Sequence, residues 1–179
     1  PNNVKSSIVI TAKSISMSNY DSNFRRGIKV KTTEDLRWKR VDIKTINLLP
    51  PVLAKQKAVQ SGCDEAWMID SEGYITEGSS SNAWILSNKK LITTPANNSI
   101  LKGITRTSLI NALRKKKIKF EERRFNKKDI KNADEAFITS ATQFVMPVIK
   151  VDNIKIGNGK VGKNAYIFRD AYMEAIQLK

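Results

Sequence analysis

Apolar and polar residues alternate in GIKVKTT (27–33), the period-two rhythm of a strand with one face buried. DEAWMID (64–70), GYITEG (73–78), NAWILSN (82–88) and KKLITTP (89–95) are short β-type runs set apart by turn residues, and they predict an antiparallel meander. SIVITA (7–12) reads as a further short strand, and the polar KSISMSNYDSNFRR (13–26) as a loop or linker. Helical spacing takes over in TINLLPPVLAKQKAVQSG (45–62), where Ile46, Leu49, Leu53 and later Ala58 recur. Thr45 is placed as its N-cap, Pro50 and Pro51 near its first turn, and Gly62 as its stop. LKGITRTSLINALRKKK (101–117) carries Leu109, Ile110 and Leu113, so an amphipathic helix should begin near Ile104–Thr105. A strand (IKFEERRF), a short helix (KKDIKNA), two more strands (EAFITSA and VMPVIKVD) and an amphipathic helix from about Gly162 complete the order. Strands and helices mix without regular βαβ alternation. The expected fold class is therefore α+β, with a mixed, largely antiparallel, barrel-like sheet flanked by helices.

Composition narrows the chemistry. The 179 residues suit one domain, or one and a small extension, with a sizeable core. No stretch approaches the roughly 18 uninterrupted apolar residues of a membrane span, and PNNVKSS lacks the pattern of a secretory signal. Cys63 has no partner cysteine, which excludes a disulfide within the chain and makes a reducing cytoplasm the expected compartment. Histidine is absent. That removes imidazole-based triads and leaves a Zn site only Cys63 and carboxylates, so no metal is expected.

Lysine and arginine total 32 against 17 acids, a net charge of +15, and a nucleic-acid partner has to be weighed. The cations gather at RRGIKVK (25–31), RKKKIK (114–119) and RRFNKK (123–128), but aromatics are sparse beside them and no stacking platform for single strands is visible. A solvated surface accounts for the same charge. A non-catalytic basic module that binds nucleic acid remains as a rival reading supported by charge alone.

Four stretches could carry chemistry. Lys44 ends VDIK, where a strand should hand over to a helix; it is either an exposed residue of an alternating strand or an amine in a partly desolvated pocket, able to attack an aldehyde. Glu77 precedes Gly78 and the run Ser79–Asn82, a set that suits an ordinary turn or an acid held against a heterocyclic nitrogen. In LKGITR, Gly103 permits close backbone approach while the amides of Ile104 and Thr105 open a helix, as in a phosphate site or in any Gly-Thr helix start. TSATQ (139–143) offers hydroxyls at a strand end.

Taken together, DIKTINLLPPVLAKQKA, EAWMID…ITEGSSSN, TPANNSILKGIT and AFITSATQ resemble the fold-type IV, or class IV, aminotransferases, with the D-amino acid enzymes of that family most similar. The resemblance runs in order from about residue 7 to the end. It implies pyridoxal 5'-phosphate as cofactor, Lys44 as the catalytic lysine that takes its aldehyde, and Glu77 as the acid on the pyridine nitrogen. It also implies that Ser80, Ser81 and Asn82 lie beneath the cofactor, that Leu101 packs on the ring, and that Gly103, Ile104, Thr105, Ser140 and Ala141 surround the phosphate. Ala141 departs from close relatives, which commonly have a second hydroxyl there. The implied activity is transamination between a D-amino acid such as D-alanine and a 2-oxo acid such as 2-oxoglutarate; branched-chain aminotransferase and aminodeoxychorismate lyase share the fold and the lysine–glutamate pair. On the same ground residues 1–26 are expected to be an interdomain strand and linker, residues 27–179 the cofactor-binding large domain, a smaller N-terminal domain to be missing, and the complete protein to be a homodimer in the cytoplasm.

Overall fold

The computed structural model describes residues 3–5, 7–14 and 17–176. Helix α1 (Met17–Arg26) leads into β1 (Ile28–Glu34), followed by α2 (Leu49–Gln60), β2 (Glu65–Ile69), β3 (Ile75–Gly78), β4 (Asn82–Ser87) and β5 (Lys90–Thr93). Then come α3 (Ile104–Lys115), β6 (Phe120–Glu122), α4 (Lys127–Lys131), β7 (Glu135–Ser140), β8 (Phe144–Val151), β9 (Ile154–Lys155) and α5 (Lys163–Ile176). The strands form one sheet in the order β3-β2-β1-β8-β7-β4-β5-β6, with β9 on β8. β1 runs parallel to both β2 and β8, and β5 parallel to β6; the other pairings are antiparallel. The fold is the expected α+β with a mixed sheet.

Strand periodicity explains how one sheet serves two cores. Trp84, Phe137 and Val145 point to one face, where Leu109 and Leu113 of α3 and Phe168 and Tyr172 of α5 cover them. Their immediate neighbours Ile85, Ile138 and Met146 point to the other face and join Trp67, Ile75 and Phe125. Both faces are buried, so the central strands read as continuous apolar runs. Trp84 lies opposite Phe137 in the β4/β7 register, and their rings stack 5.4 Å apart at 13°. The sheet also curls. Ile75 N–H at the β3 edge donates to Phe125 O beyond β6 at 2.8 Å, which brings the two ends of the strand order together in a half-barrel.

Several local expectations change. SIVITA has neither strand nor helix, and Ile8, Val9 and Ile10 are exposed. Most of KSISMSNYDSNFRR is α1 rather than loop, because Tyr20 and Phe24, one helical turn apart, bury against the sheet and the Tyr20 hydroxyl donates to Val145 O at 3.0 Å. Residues 1–2, 6 and 15–16 of the expected 1–26 segment lie outside the described residues. VDIK is a turn, with Val41 N–H bound to Asn98 O at 2.9 Å. α2 starts at Leu49, with Leu48 in the N-cap position and the prolines in its first turn; the Thr45 hydroxyl instead accepts Asn47 N–H at 3.2 Å. It packs through Ala54 and Ala58 on Ala66 and Met68, leaving Leu49, Val52 and Leu53 exposed. The expected meander is two separate hairpins, since β4 pairs with β5 and β7 and not with β3. Between the hairpins, residues 79–81 carry the chain from the sheet edge to its middle.

If α1 belongs to the core, Phe24→Ala should destabilise the chain by about 3–5 kcal/mol, the usual cost of emptying a buried phenylalanine site. Urea unfolding of both proteins measures it. A midpoint equal to wild type would mean that residues 17–26 only rest on the surface.

Candidate functional site

The crossing from β3 to β4 opens a cleft of about 510 Å³. Glu77, one residue before the end of β3, lines it at 5% exposure. Its Oε1 accepts Leu101 N–H at 3.0 Å and the Arg37 guanidinium, and its Oε2 accepts Asn82 Nδ2 at 2.8 Å. Burial pushes the Glu77 carboxyl up to about 7, against the downward pull of the Arg37 charge and hydrogen bond and of the Leu101 amide.

Arg37 owes its position to a second acid. Its Nε and Nη2 grip Asp35 in a fork at 2.8 and 2.7 Å, and Nη2 also reaches Ser99 O at 3.2 Å. Thr76 donates to the same Asp35 at 2.6 Å. Burial would raise Asp35, but these hydrogen bonds and the Arg37 charge outweigh it and hold the carboxyl below its ordinary range.

Asn82 clips the cleft's two walls together. Besides Glu77 it donates to Leu101 O at 2.9 Å, and its Oδ1 lies where a Cβ on Gly103 would come within 2.3 Å. Only glycine fits there without displacing the amide. Gly103 is the N-cap of α3, and among the described residues no side chain caps this helix start. Its first N–H groups and its positive dipole end therefore face the cleft that Ile104 and Thr105 line. Thr105 is 2% exposed, and its Oγ1 has no hydrogen-bond partner among the described residues. A buried hydroxyl in that condition costs stability unless a ligand takes it up.

Ser140 and Ala141, at the end of β7, close the same end. Ser140 Oγ accepts Gln143 N–H at 3.1 Å, a bond that does not spend its own proton. Ala141 brings no hydroxyl.

Lys44 lines the cleft but is exposed, on the strap between β1 and α2, so the partly desolvated setting weighed from the sequence is not realised in this structure. The cause is local: the strap is tied to the body by few main-chain bonds. Ser80 and Ser81 also line the cleft, yet their hydroxyls, with that of Ser79, donate to the buried Glu65 behind the turn. All eleven residues singled out from the sequence thus border one cleft.

Two groups escaped the sequence reading. Arg37 looked like one more cation in a basic chain, and Glu65 looked like the polar start of a strand. The first had a faint signal in DLR, where an acid two residues before an arginine can fix its fork.

Comparison with known proteins identifies the family. The family model for amino-transferase class IV matches residues 1–151. The D-alanine aminotransferase of Staphylococcus haemolyticus is 42% identical over 159 residues, 89% of this chain and 55% of that protein. A probable branched-chain-amino-acid aminotransferase of Aquifex aeolicus is 37% identical over 86% of this chain and 51% of that protein. The chain spans about half the length of the curated relatives it matches. Among solved structures, the branched-chain amino acid aminotransferase from Thermobaculum terrenum in its PLP (holo) form superposes with a TM-score of 0.80 at 26% identity, over 90% of this chain and 53% of that one. A match to the family model over most of its length, with relatives of one activity class in both comparisons, makes this chain a member of the class IV aminotransferase family.

Proposed function

We propose that this chain holds pyridoxal 5'-phosphate and carries the chemistry of a transamination between a D-amino acid such as D-alanine and a 2-oxo acid such as 2-oxoglutarate. The observation that carries the cofactor reading is the unpartnered Thr105 hydroxyl at an uncapped helix start, in the same cleft as the buried acid Glu77. The donor set fits the group. Thr105, the first N–H groups of α3 and the Ser140 hydroxyl suit a phosphate dianion, and Glu77 suits a pyridine nitrogen. The D-amino acid reading rests on relatives named D-alanine aminotransferase, 37–44% identical to this chain. A branched-chain donor is the second reading, favoured by the Aquifex aeolicus relative and the Thermobaculum terrenum structure.

When bound, the cofactor supplies an aldehyde and a ring that accepts electrons from the donor's Cα. The residues do the rest. Lys44 is the amine that takes the aldehyde and, as general base and acid, moves the Cα proton. Glu77, its two oxygens fixed by Arg37 and Asn82, would hold a proton on the ring nitrogen. Leu101, whose N–H steadies Glu77, would pack on the ring. A homodimer belongs to the same reading, supported by the exposed Leu49, Val52 and Leu53 of α2.

The direct test is incubation of the chain with pyridoxal phosphate, 2-oxoglutarate and either D-alanine or L-leucine. Faster amino transfer from D-alanine is expected; preference for L-leucine would overturn the substrate reading. Lys44→Ala should abolish transfer, and borohydride reduction of the loaded wild type should label Lys44. Label on another lysine would refute its role.

Gly103→Ala and Thr105→Val should each weaken cofactor retention, the first by driving a Cβ into Asn82 and the second by removing a donor worth about 1.5–3 kcal/mol toward a charged group. Equal affinities in spectroscopic titrations would remove the phosphate assignment.

Glu77 makes a pH-dependent contribution with a defined sign. Its carboxyl is raised from 4.5 to about 7, so the folded chain binds this proton more tightly than the unfolded chain does. The resulting stability is complete below about 4.5 and is lost as pH rises through about 7. Wild type should lose about 1–3 kcal/mol of unfolding free energy between pH 5 and 8. Asp35, Asp64 and Asp152 are shifted down and act below that window. Glu77→Gln should flatten the slope in urea titrations and slow turnover by about a hundredfold or more; an unchanged slope would mean that Glu77 is not the group responsible.

A further inference from the structure

Glu65, the first residue of β2, is 2% exposed. Its Oε1 accepts Ala66 N–H at 2.8 Å and the Ser79 hydroxyl; its Oε2 accepts the hydroxyls of Ser81 at 3.0 Å and Ser80 at 3.4 Å. A carboxylate offers about four acceptor positions, and here each has a donor. A serine hydroxyl has one proton to give. Once that proton is given to Glu65, the oxygen can only accept. These same three serines line the cleft, and the turn that bears them closes tightly, since a Cβ on Gly78 would stand 2.1 Å from Ser81 Oγ.

We propose that Glu65 is a positioning residue for the transamination site: by drawing the three serine protons away from the cleft, it makes the Ser79–Ser81 turn an acceptor-only floor for the cationic nitrogens of the reaction, those of Lys44 and of the amino donor. The inference rests on the cofactor reading of the cleft given above. It explains a division of labour within one cavity. Donors gather where Thr105, Ser140 and the start of α3 meet, which is the end for an anion. Unconstrained serines could rotate and donate to a phosphate or a substrate carboxylate in the wrong place. Tied to Glu65, they cannot, and the cleft keeps a fixed polarity. The charged side chains that line it along with this floor are Arg37, Lys44, Glu77 and Lys102.

The test uses the 179-residue chain loaded with pyridoxal phosphate, and reads the pH midpoint of the visible absorption band, the cofactor affinity and the thermal midpoint. In Glu65→Gln the anion behind the floor is gone, so a cation in the cleft loses its proton more easily. The band's midpoint should fall by about half a pH unit or more. Glu65→Asp, which keeps the carboxylate, should recover most of that shift. If Glu65→Gln does not fold, Ser80→Ala decides: it removes one acceptor from the floor, leaves Glu65 in place, and should lower the midpoint in the same direction by a smaller amount. A Glu65→Gln chain with reduced thermal midpoint and cofactor affinity but a wild-type band midpoint would show a scaffold role only and overturn the inference alone. Wild type that develops no visible band overturns the cofactor reading and this inference with it.

Discussion

The cleft depends on one constraint: a carboxylate, Glu77, is held almost out of water and must be satisfied on both oxygens. Burial of such a group is costly unless hydrogen bonds and a counter-charge offset it. Each partner that does so comes from a different part of the chain. Arg37 lies beyond β1, Asn82 opens β4, and the Leu101 amide precedes α3. Satisfying one acid thus fixes three segments relative to one another, and the geometry of the site follows from that requirement.

The sheet makes this convergence possible. β3 lies at one end of the strand order and β4 in its interior, and the curl between them leaves a gap that only a short turn crosses. Backbone groups at such a break have no ladder partners and must find others nearby. Gly78 N–H takes Ser81 O at 2.6 Å and Ser79 N–H takes Ala66 O at 3.0 Å, which stitches the turn to β2. The same break exposes Glu77 to the cleft on one side and packs Glu65 behind the serines on the other. Two acids of similar burial therefore take different roles: one faces the cavity, the other faces away from it.

Legibility in the sequence followed the range of the interactions involved. β4 and β7 were readable because strand runs declare themselves within a few residues, and α3 because its apolar spacing and its glycine are local signals. All eleven candidate residues proved to border one cleft, since resemblance transfers spacing that no single motif encodes. Arg37 was not readable, because its meaning depends on Glu77, forty residues away and in contact only after the sheet curls. Glu65 hid for the same reason. α1 was missed although Tyr20 and Phe24 carry the right spacing, because the polar residues around them outweigh two aromatics in any local count. Exposure of Lys44 was one of the two readings its setting left open, and the structure realises it on a turn where a strand was expected.

The strong positive charge also takes on a clearer meaning in the fold. In RRFNKK, Arg123 pairs with Asp129, Arg124 with Asp70 and Glu72, and Lys127 with Asp152, so this cluster is largely spent on ion pairs. RKKKIK holds one such pair, Lys116 with Glu174 at 2.7 Å. It spans the end of α3, with Arg114 and Lys115 in the last turn, where cations favour the negative end of the helix dipole. The opposite end of that helix is the uncapped start at Gly103 that faces the cleft. Its twelve residues extend about 18 Å at 1.5 Å per residue, well beyond the roughly 8–10 Å over which salt screens exposed charges. Arg114 and Lys115 therefore stabilise the helix without reaching the cleft as free charge. What reaches the cleft is the dipole's positive end, delivered where Thr105 already offers an unpaired hydroxyl. The helix end takes up Arg114 and Lys115 and Glu174 takes up Lys116, so most of this cluster has a local role that needs no anionic polymer.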